Sequence, residues 1–125
     1  MFAGDLNLKS WYKPNIDKKT LKEFSKRSDF RGMFDILLFI LTLFVSGYLC
    51  LITWGSWWSV FTLLLYGNIF YCKIISIQHE TNHETYFKSR MLNRFFYNIT
   101  SLLGGFEAVR WKWSHFHHHT YTIFT

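Results

Sequence analysis

The sequence predicts an all-α membrane protein, built from a transmembrane helical hairpin followed by cytoplasmic or interfacial helices that carry two clusters of histidines. The chain of 125 residues has room for one domain at most. Half of it is hydrophobic and 22% is aromatic, which is high for a small soluble domain. Two apolar stretches are each long enough to cross a hydrocarbon core, and all six histidines follow them.

A polar and basic segment, residues 1–33, opens the chain. Thr20 is followed three residues later by Glu23, which predicts a capping box at the start of a short amphipathic helix. The net charge of the chain is +6, but its basic residues alternate with segments too apolar for a soluble nucleic-acid-binding module. We therefore expect no nucleic-acid partner.

Two transmembrane helices are predicted next. Residues 36–54 contain no charge and would span about 28 Å as a helix. A signal peptide would have a shorter apolar region nearer the N-terminus. Residues 57–77 would span about 30 Å, and their only charge, Lys73, lies near the end, where a lysine can extend to the interface. Tryptophans 54, 57 and 58 at the turn fit an aromatic belt on one membrane face.

The basic residues predict the orientation of this hairpin. Eight of the 14 lysines and arginines precede Phe34, and the other six begin at Lys73. By the positive-inside tendency, both ends of the hairpin face the cytoplasm. Within the following region, residues 78–125, a third apolar stretch at 95–106 would span about 18 Å, which is too short to cross. We expect it to be an interfacial helix, which leaves both histidine clusters on the cytoplasmic side.

The histidine spacing predicts metal ligands. His79 and His83 are four residues apart, so both rings lie on one face of a helix. In the second cluster, at about 100° per residue, histidines 118 and 119 lie near the direction of His115, whereas His117 points away. Five neutral imidazoles exceed what one tetrahedral zinc takes. They suit two metal ions, and imidazole-rich sites with open positions suit iron that binds oxygen.

An alternative interpretation is a membrane zinc metalloprotease. His79, Glu80 and His83 match H-E-x-x-H, in which the glutamate is the general base. The metzincin continuation requires glycine at position 86 and histidine at 89, where this chain has Tyr86 and Ser89. This interpretation also leaves the second cluster without a role. It stays open beside a non-enzymatic membrane protein that binds metal loosely or not at all.

With "HETNH" at 79–83 directly after the hairpin, and "WKWSHFHHHTYT" 32 residues later, the chain resembles the membrane fatty acid desaturases. The resemblance implies an enzyme with two non-haem iron ions, which uses molecular oxygen and two external electrons to remove hydrogens from an acyl chain. Glu80 matches an acidic residue that orients a ligating imidazole. Trp111 and Thr120 occupy flanking positions that often recur in the family, although an interfacial aromatic and a helix-end hydroxyl explain them equally well. The residues that match the metal ligands are His79, His83, His115, His118 and His119.

The resemblance also implies partners and a location. The substrate would be a fatty acyl lipid or an acyl thioester, and the electron donor a protein similar to cytochrome b5 or ferredoxin. The membrane would be the endoplasmic reticulum or a bacterial inner membrane. Related di-iron hydroxylases and ketolases share these clusters, so oxygen insertion is an alternative reaction. The family has a third histidine cluster well downstream, whereas this sequence stops at Thr125. We therefore expect the N-terminal part of a longer protein, inactive by itself.

Overall fold

Residues 15–121 are described by a computed structural model, and within them the chain forms five α-helices and no strand. Residues 1–14 and 122–125, which include Lys9 and Lys13 of the basic segment, lie outside the described residues. The predicted all-α fold class is confirmed. The helices are α1 (Lys18–Phe24), α2 (Asp29–Thr53), α3 (Trp58–Asn82), α4 (Arg90–Leu103) and α5 (Ala108–Tyr121).

The first helix begins at a different cap from the predicted one. The side chain of Asp17 accepts a hydrogen bond from the backbone N–H of Thr20 at 3.2 Å. The predicted capping box at Thr20 and Glu23 is wrong, because Thr20 already lies in the first turn of α1. No residue of α1 is buried.

Helices α2 and α3 form the apolar hairpin, and both are long and apolar enough to cross a membrane. Only 22% of the most apolar part of α2 and 11% of that of α3 is buried, so most of their apolar surface faces outward, as lipid contact requires. Helix α2 starts seven residues before the predicted span, because Ser28 caps it and accepts from the N–H of Arg31. Helix α3 runs five residues past position 77, so the first histidine pair lies at its end.

The core lies where the first turns of α2 and the last turns of α3 meet the loop 83–89. Ile36 and Phe39 from α2 pack with two isoleucines of α3 around Phe87, whose side chain is fully buried. A Cβ atom at Gly32 would lie 2.5 Å from a ring carbon of Phe87, so the α2 backbone lies directly against this ring. Close packing here holds the last turns of α3 against α2.

A polar contact closes the same end of the hairpin. The Nζ of Lys73 lies 2.7 Å from a carboxylate oxygen of Asp35, which joins α3 to α2. The hydroxyl of Tyr86 donates to the same carboxylate. One carboxylate therefore connects both long helices and the loop that follows them.

Helix α4 occupies residues 90–103, whereas the predicted interfacial helix was 95–106. It begins earlier because Ser89 caps it, and it ends at Leu103 because Gly104 and Gly105 follow, the latter with a φ of +73°. Its buried face is polar, while Met91 and Leu102 are exposed. A helix at the membrane surface would have this arrangement, although its interfacial placement stays a prediction.

Candidate metal centre

Two pairs of histidines face each other across helices α3 and α5. His79 lies in the last turn of α3, and His83 directly follows the helix, where its backbone N–H still bonds to the carbonyl of His79. His115 and His119 lie one turn apart on α5. Each pair thus has i, i+4 spacing, which directs both of its rings to one side.

The four imidazoles converge on one small volume. One ring nitrogen from each of His79, His83, His115 and His119 lies within 4.8 Å of the others. His115 is central, since its Nε2 lies 2.9 Å from Nε2 of His83 and 3.0 Å from Nε2 of His119. The ring of His79 lies 4.7 Å from that of His115, centroid to centroid.

This donor set fits one metal ion. A metal–nitrogen bond of about 2.1 Å places two nitrogens on opposite sides of an ion about 4.2 Å apart. The largest separation here is up to 4.8 Å, so small side-chain movements suffice to bring all four nitrogens to one ion. Two ions would require more donors than these four imidazoles provide.

The electrostatics favour the neutral imidazoles that bind metals. Burial, as the largest cause, and the neighbouring histidines together lower the pKa of His115 to about 4. Burial also lowers the pKa of His83, with His79 and His119 adding to the effect. Protons therefore compete weakly with a metal for these two nitrogens at neutral pH.

Glu80 and Thr85 support His79 from outside the cluster. Nδ1 of His79 lies 3.1 Å from one carboxylate oxygen of Glu80. The hydroxyl of Thr85 donates to the other oxygen at 2.7 Å, and its backbone N–H donates to the carbonyl of Glu80. With a proton on Nδ1, His79 donates to Glu80 and keeps Nε2 for a metal.

Trp111 packs on the cluster as an aromatic wall. Its ring lies parallel to that of His115, with centroids 4.6 Å apart and an interplanar angle of 11°. It also meets the edge of His79 at 6.5 Å. Trp111 is therefore in contact with the histidine cluster and is not only an aromatic residue of a membrane interface. Its i, i+4 spacing to His115 is the sequence feature that could have predicted this contact.

The other two histidines lie outside the group of four. The ring of His118 lies 6.2 Å from that of His115 and 5.7 Å from that of His119. Its role as a metal ligand stays a prediction. His117, which the helical spacing left out, packs against Tyr121 at 4.5 Å.

The scaffold depends on buried amides that the sequence patterns did not single out. Asn93 on α4 bonds to both the N–H and the carbonyl of Phe87, and to the carbonyl of Ser89. Gln78 on α3 bonds to Ser101 on α4 at 3.2 Å. These contacts fix α4 against α3.

The start of α5 is fixed by two further contacts. The hydroxyl of Tyr97 donates to the carbonyl of Ala108 at 2.5 Å, which ties α4 to α5. The carboxylate of Glu107 accepts from the N–H groups of Val109 and Arg110. Glu107 thus caps the helix that carries the second histidine cluster.

The fold and the site together define a helical protein with a histidine-rich candidate metal centre at one end of an apolar, membrane-length hairpin. A family model described as fatty acid desaturase matches residues 55–125, which is more than half of the 125 residues and includes every histidine. The chain belongs to the fatty acid desaturase family, and the resemblance stated above is confirmed. Searches of curated proteins and of solved structures found no match.

The zinc-protease interpretation gains no support from the site. Its general base, Glu80, has its two carboxylate oxygens engaged by His79 and Thr85. The second cluster, which that interpretation leaves idle, supplies half of the four converging imidazoles.

Proposed function

We propose that this protein removes hydrogens from a fatty acyl chain at a histidine-ligated centre of two iron ions, with molecular oxygen and two external electrons. Membership of the fatty acid desaturase family supports acyl desaturation in general. The observation that carries the proposal is the convergence of four imidazole nitrogens within 4.8 Å, at the end of a membrane-length hairpin. Iron suits this all-nitrogen donor set with room for further ligands.

His79, His83, His115 and His119 would hold one ion. His118, the residue before His119, would contribute to the second ion together with donors other than these four. When bound, reduced iron supplies the activation of oxygen that the removal of hydrogen from a saturated carbon requires. Because four imidazoles suffice for one ion and not for two, we propose that residues 15–121 alone do not catalyse the reaction.

The chain's own residues would orient and shield the centre. The carboxylate of Glu80, held by Thr85, fixes the ring of His79 and the nitrogen on which its proton lies. The indole of Trp111 covers one face of His115 and excludes water from it. Both effects keep the donor nitrogens directed at one volume before a metal arrives.

An apolar groove leads along α3 to the cluster and suits an acyl chain. Its volume is about 450 Å³, and its walls are mostly apolar. It runs from the apolar part of α3 to His79, so an acyl chain that lies along α3 would reach the histidine cluster. The substrate would be an acyl lipid or an acyl thioester. The lining residues are Tyr71, Cys72, Ile75, Ser76, His79, Glu80 and Trp111.

The proposed location rests on the same hairpin. We propose that both of its ends, and with them the histidine cluster, face the cytoplasm, in the endoplasmic reticulum or a bacterial inner membrane. Basic residues flank both outer ends of the hairpin and are absent from its turn, which supports this orientation. A cytoplasmic donor similar to cytochrome b5 or ferredoxin would supply the electrons.

Lipid profiling tests this function. The complete reading frame that encodes this chain is expressed in a host, and its fatty acyl chains are compared with those of a host that expresses the His83→Ala variant. New double bonds that depend on His83 and on bound iron support desaturation, and hydroxylated chains would indicate a related hydroxylase. Zinc in place of iron, with unchanged lipids, would contradict the proposal.

A further inference from the structure

We propose that the junction of α1 and α2 binds the anionic headgroup of a membrane phospholipid. An open cavity of about 430 Å³ lies there, between the start of α2 and the loop 83–89. It is separate from the histidine cluster and shares no residue with it. The lining residues are Glu23, Lys26, Arg27, Ser28, Asp29, Arg31 and Lys88.

The charge of this cavity favours an anion. Four of its lining side chains are cationic and two are acidic. One of the acids, Asp29, already accepts a hydrogen bond from the N–H of Ser89 at 2.8 Å. One N–H group of the Arg27 guanidinium donates to the carbonyl of Glu84 at 2.7 Å, which leaves its other N–H groups for an anion.

Three cations in the cavity have donors to offer. Across residues 15–121, the side chains of Lys26, Arg31 and Lys88 make no ion pair or hydrogen bond with other protein groups, and all three are exposed. A phosphate oxygen entering the cavity would meet several donors at once. Charge-assisted bonds of this kind are about twice as strong as neutral ones.

The depth of the cavity identifies the anion as a lipid headgroup. Arg31 lies five residues before Ile36, where the uncharged run begins, which corresponds to about 7.5 Å along the helix. The headgroup layer on each side of a bilayer is about 5–8 Å thick. The rings of Phe30 and Phe34, one residue before and three residues after Arg31, are exposed and suit the hydrocarbon boundary. The cavity therefore lies at the level of the phosphates.

Helix α1 supplies an independent observation for a membrane partner. Leu21 and Phe24 are three residues apart on one face, and both are exposed. Lys18 and Lys22 give the same helix a basic character. Short helices with exposed apolar groups and lysines lie in the interface of anionic membranes. An acidic soluble protein as the occupant would account for the cationic side chains of the cavity. It would leave the apolar side chains of Leu21 and Phe24 without a binding partner.

Lipid retention by the intact chain tests the proposal. The purified protein in detergent is mixed with phosphatidylglycerol or with phosphatidylcholine, and the bound lipid is measured by native mass spectrometry. We expect retention of phosphatidylglycerol, and at least a fivefold weaker apparent affinity in the double variant Arg31→Gln/Lys88→Gln. The matched control, Arg94→Gln/Lys112→Gln, removes the same charge from exposed positions on α4 and α5 and is expected to change the affinity less than twofold.

The remaining outcomes are equally decisive. Equal losses in both double variants would show diffuse charge attraction and overturn the proposal, as would equal retention of phosphatidylcholine. Competition by millimolar inorganic phosphate would indicate a site for free phosphate. Unchanged retention in Arg31→Gln/Lys88→Gln would show that the lipid binds outside this cavity and would overturn the proposal. If that variant does not fold, as judged by circular dichroism, Lys26→Gln/Arg31→Gln removes two cations of the same cavity and is expected to show the same fivefold loss.

Discussion

The indole of Trp111 stacks on the imidazole of His115 at a centroid distance of 4.6 Å, from one turn earlier on the same helix. Of the four clustered imidazoles, His115 is the one whose Nε2 is within 3.0 Å of two others. The stack therefore holds the ring on which the geometry of the whole cluster depends.

Loss of this stack should weaken metal binding. An aromatic pair contributes about 0.5–1.5 kcal/mol, so Trp111→Ala should reduce the affinity by about 2- to 10-fold. Trp111→Phe should restore most of it, because a ring remains. Cobalt(II) titration of the purified chain, followed by its visible absorption, measures the affinity. Trp113→Ala is the control, since Trp113 is exposed and its ring packs on Phe116. Equal effects of the two alanine variants would show that the stack has no role.

The histidines should differ sharply in what they contribute to the first metal ion. His115→Ala removes the central donor and should reduce the affinity more than tenfold. His117→Ala should have no effect, because His117 packs against Tyr121 away from the cluster. His118→Ala should leave the first ion in place, since its nitrogen is not in the group of four. Metal content per chain, measured by mass spectrometry, checks all three. Loss of the first ion in His118→Ala would contradict the four-ligand arrangement.

A methyl group at Gly32 should destabilise the fold. Its carbon would lie 2.5 Å from the Phe87 ring, which is fully buried and has little room to move. Overpacking of this kind costs about 1–3 kcal/mol, so Gly32→Ala should lower the thermal unfolding midpoint in detergent. Gly67→Ala is the matched control, because nothing lies within 4 Å of its new carbon. It should be neutral or stabilise the helix by up to about 1 kcal/mol. Similar midpoints for the two variants would refute the close contact.

Removal of the Asn93 amide should loosen the loop that follows α3. Asn93→Ala leaves the N–H and carbonyl of Phe87 without their side-chain partner in a buried place. Such a loss costs about 1–3 kcal/mol. Hydrogen exchange of residues 83–89 should rise as the unfolding midpoint falls. Asn98→Ala, on the exposed face of the same helix, should change neither. An unchanged exchange rate in Asn93→Ala would show that other contacts suffice to hold the loop.

The sequence by itself determined the hairpin, the two histidine clusters and the exclusion of His117. Apolar run length and charge placement act through the membrane, and helical periodicity acts within one helix, so neither depends on distant contacts. The same local rules placed His79 and His83 on one face. They were less accurate at helix ends, where caps decide the boundary: Asp17 caps α1 and Ser89 starts α4 early.

Only the tertiary structure decided which members of the second cluster meet the first. Periodicity allowed His115, His118 and His119 as neighbours on one arc of α5, and the structure brings His115 and His119 to the α3 pair. The selection depends on where α5 approaches α3, and this is set by the polar α3–α4 contacts and by the Tyr97–Ala108 hydrogen bond. The stack of Trp111 on His115 depends on the same approach. Helical spacing gives the direction of a side chain around its own axis, whereas its neighbours depend on the position of the other helix, which long-range packing determines.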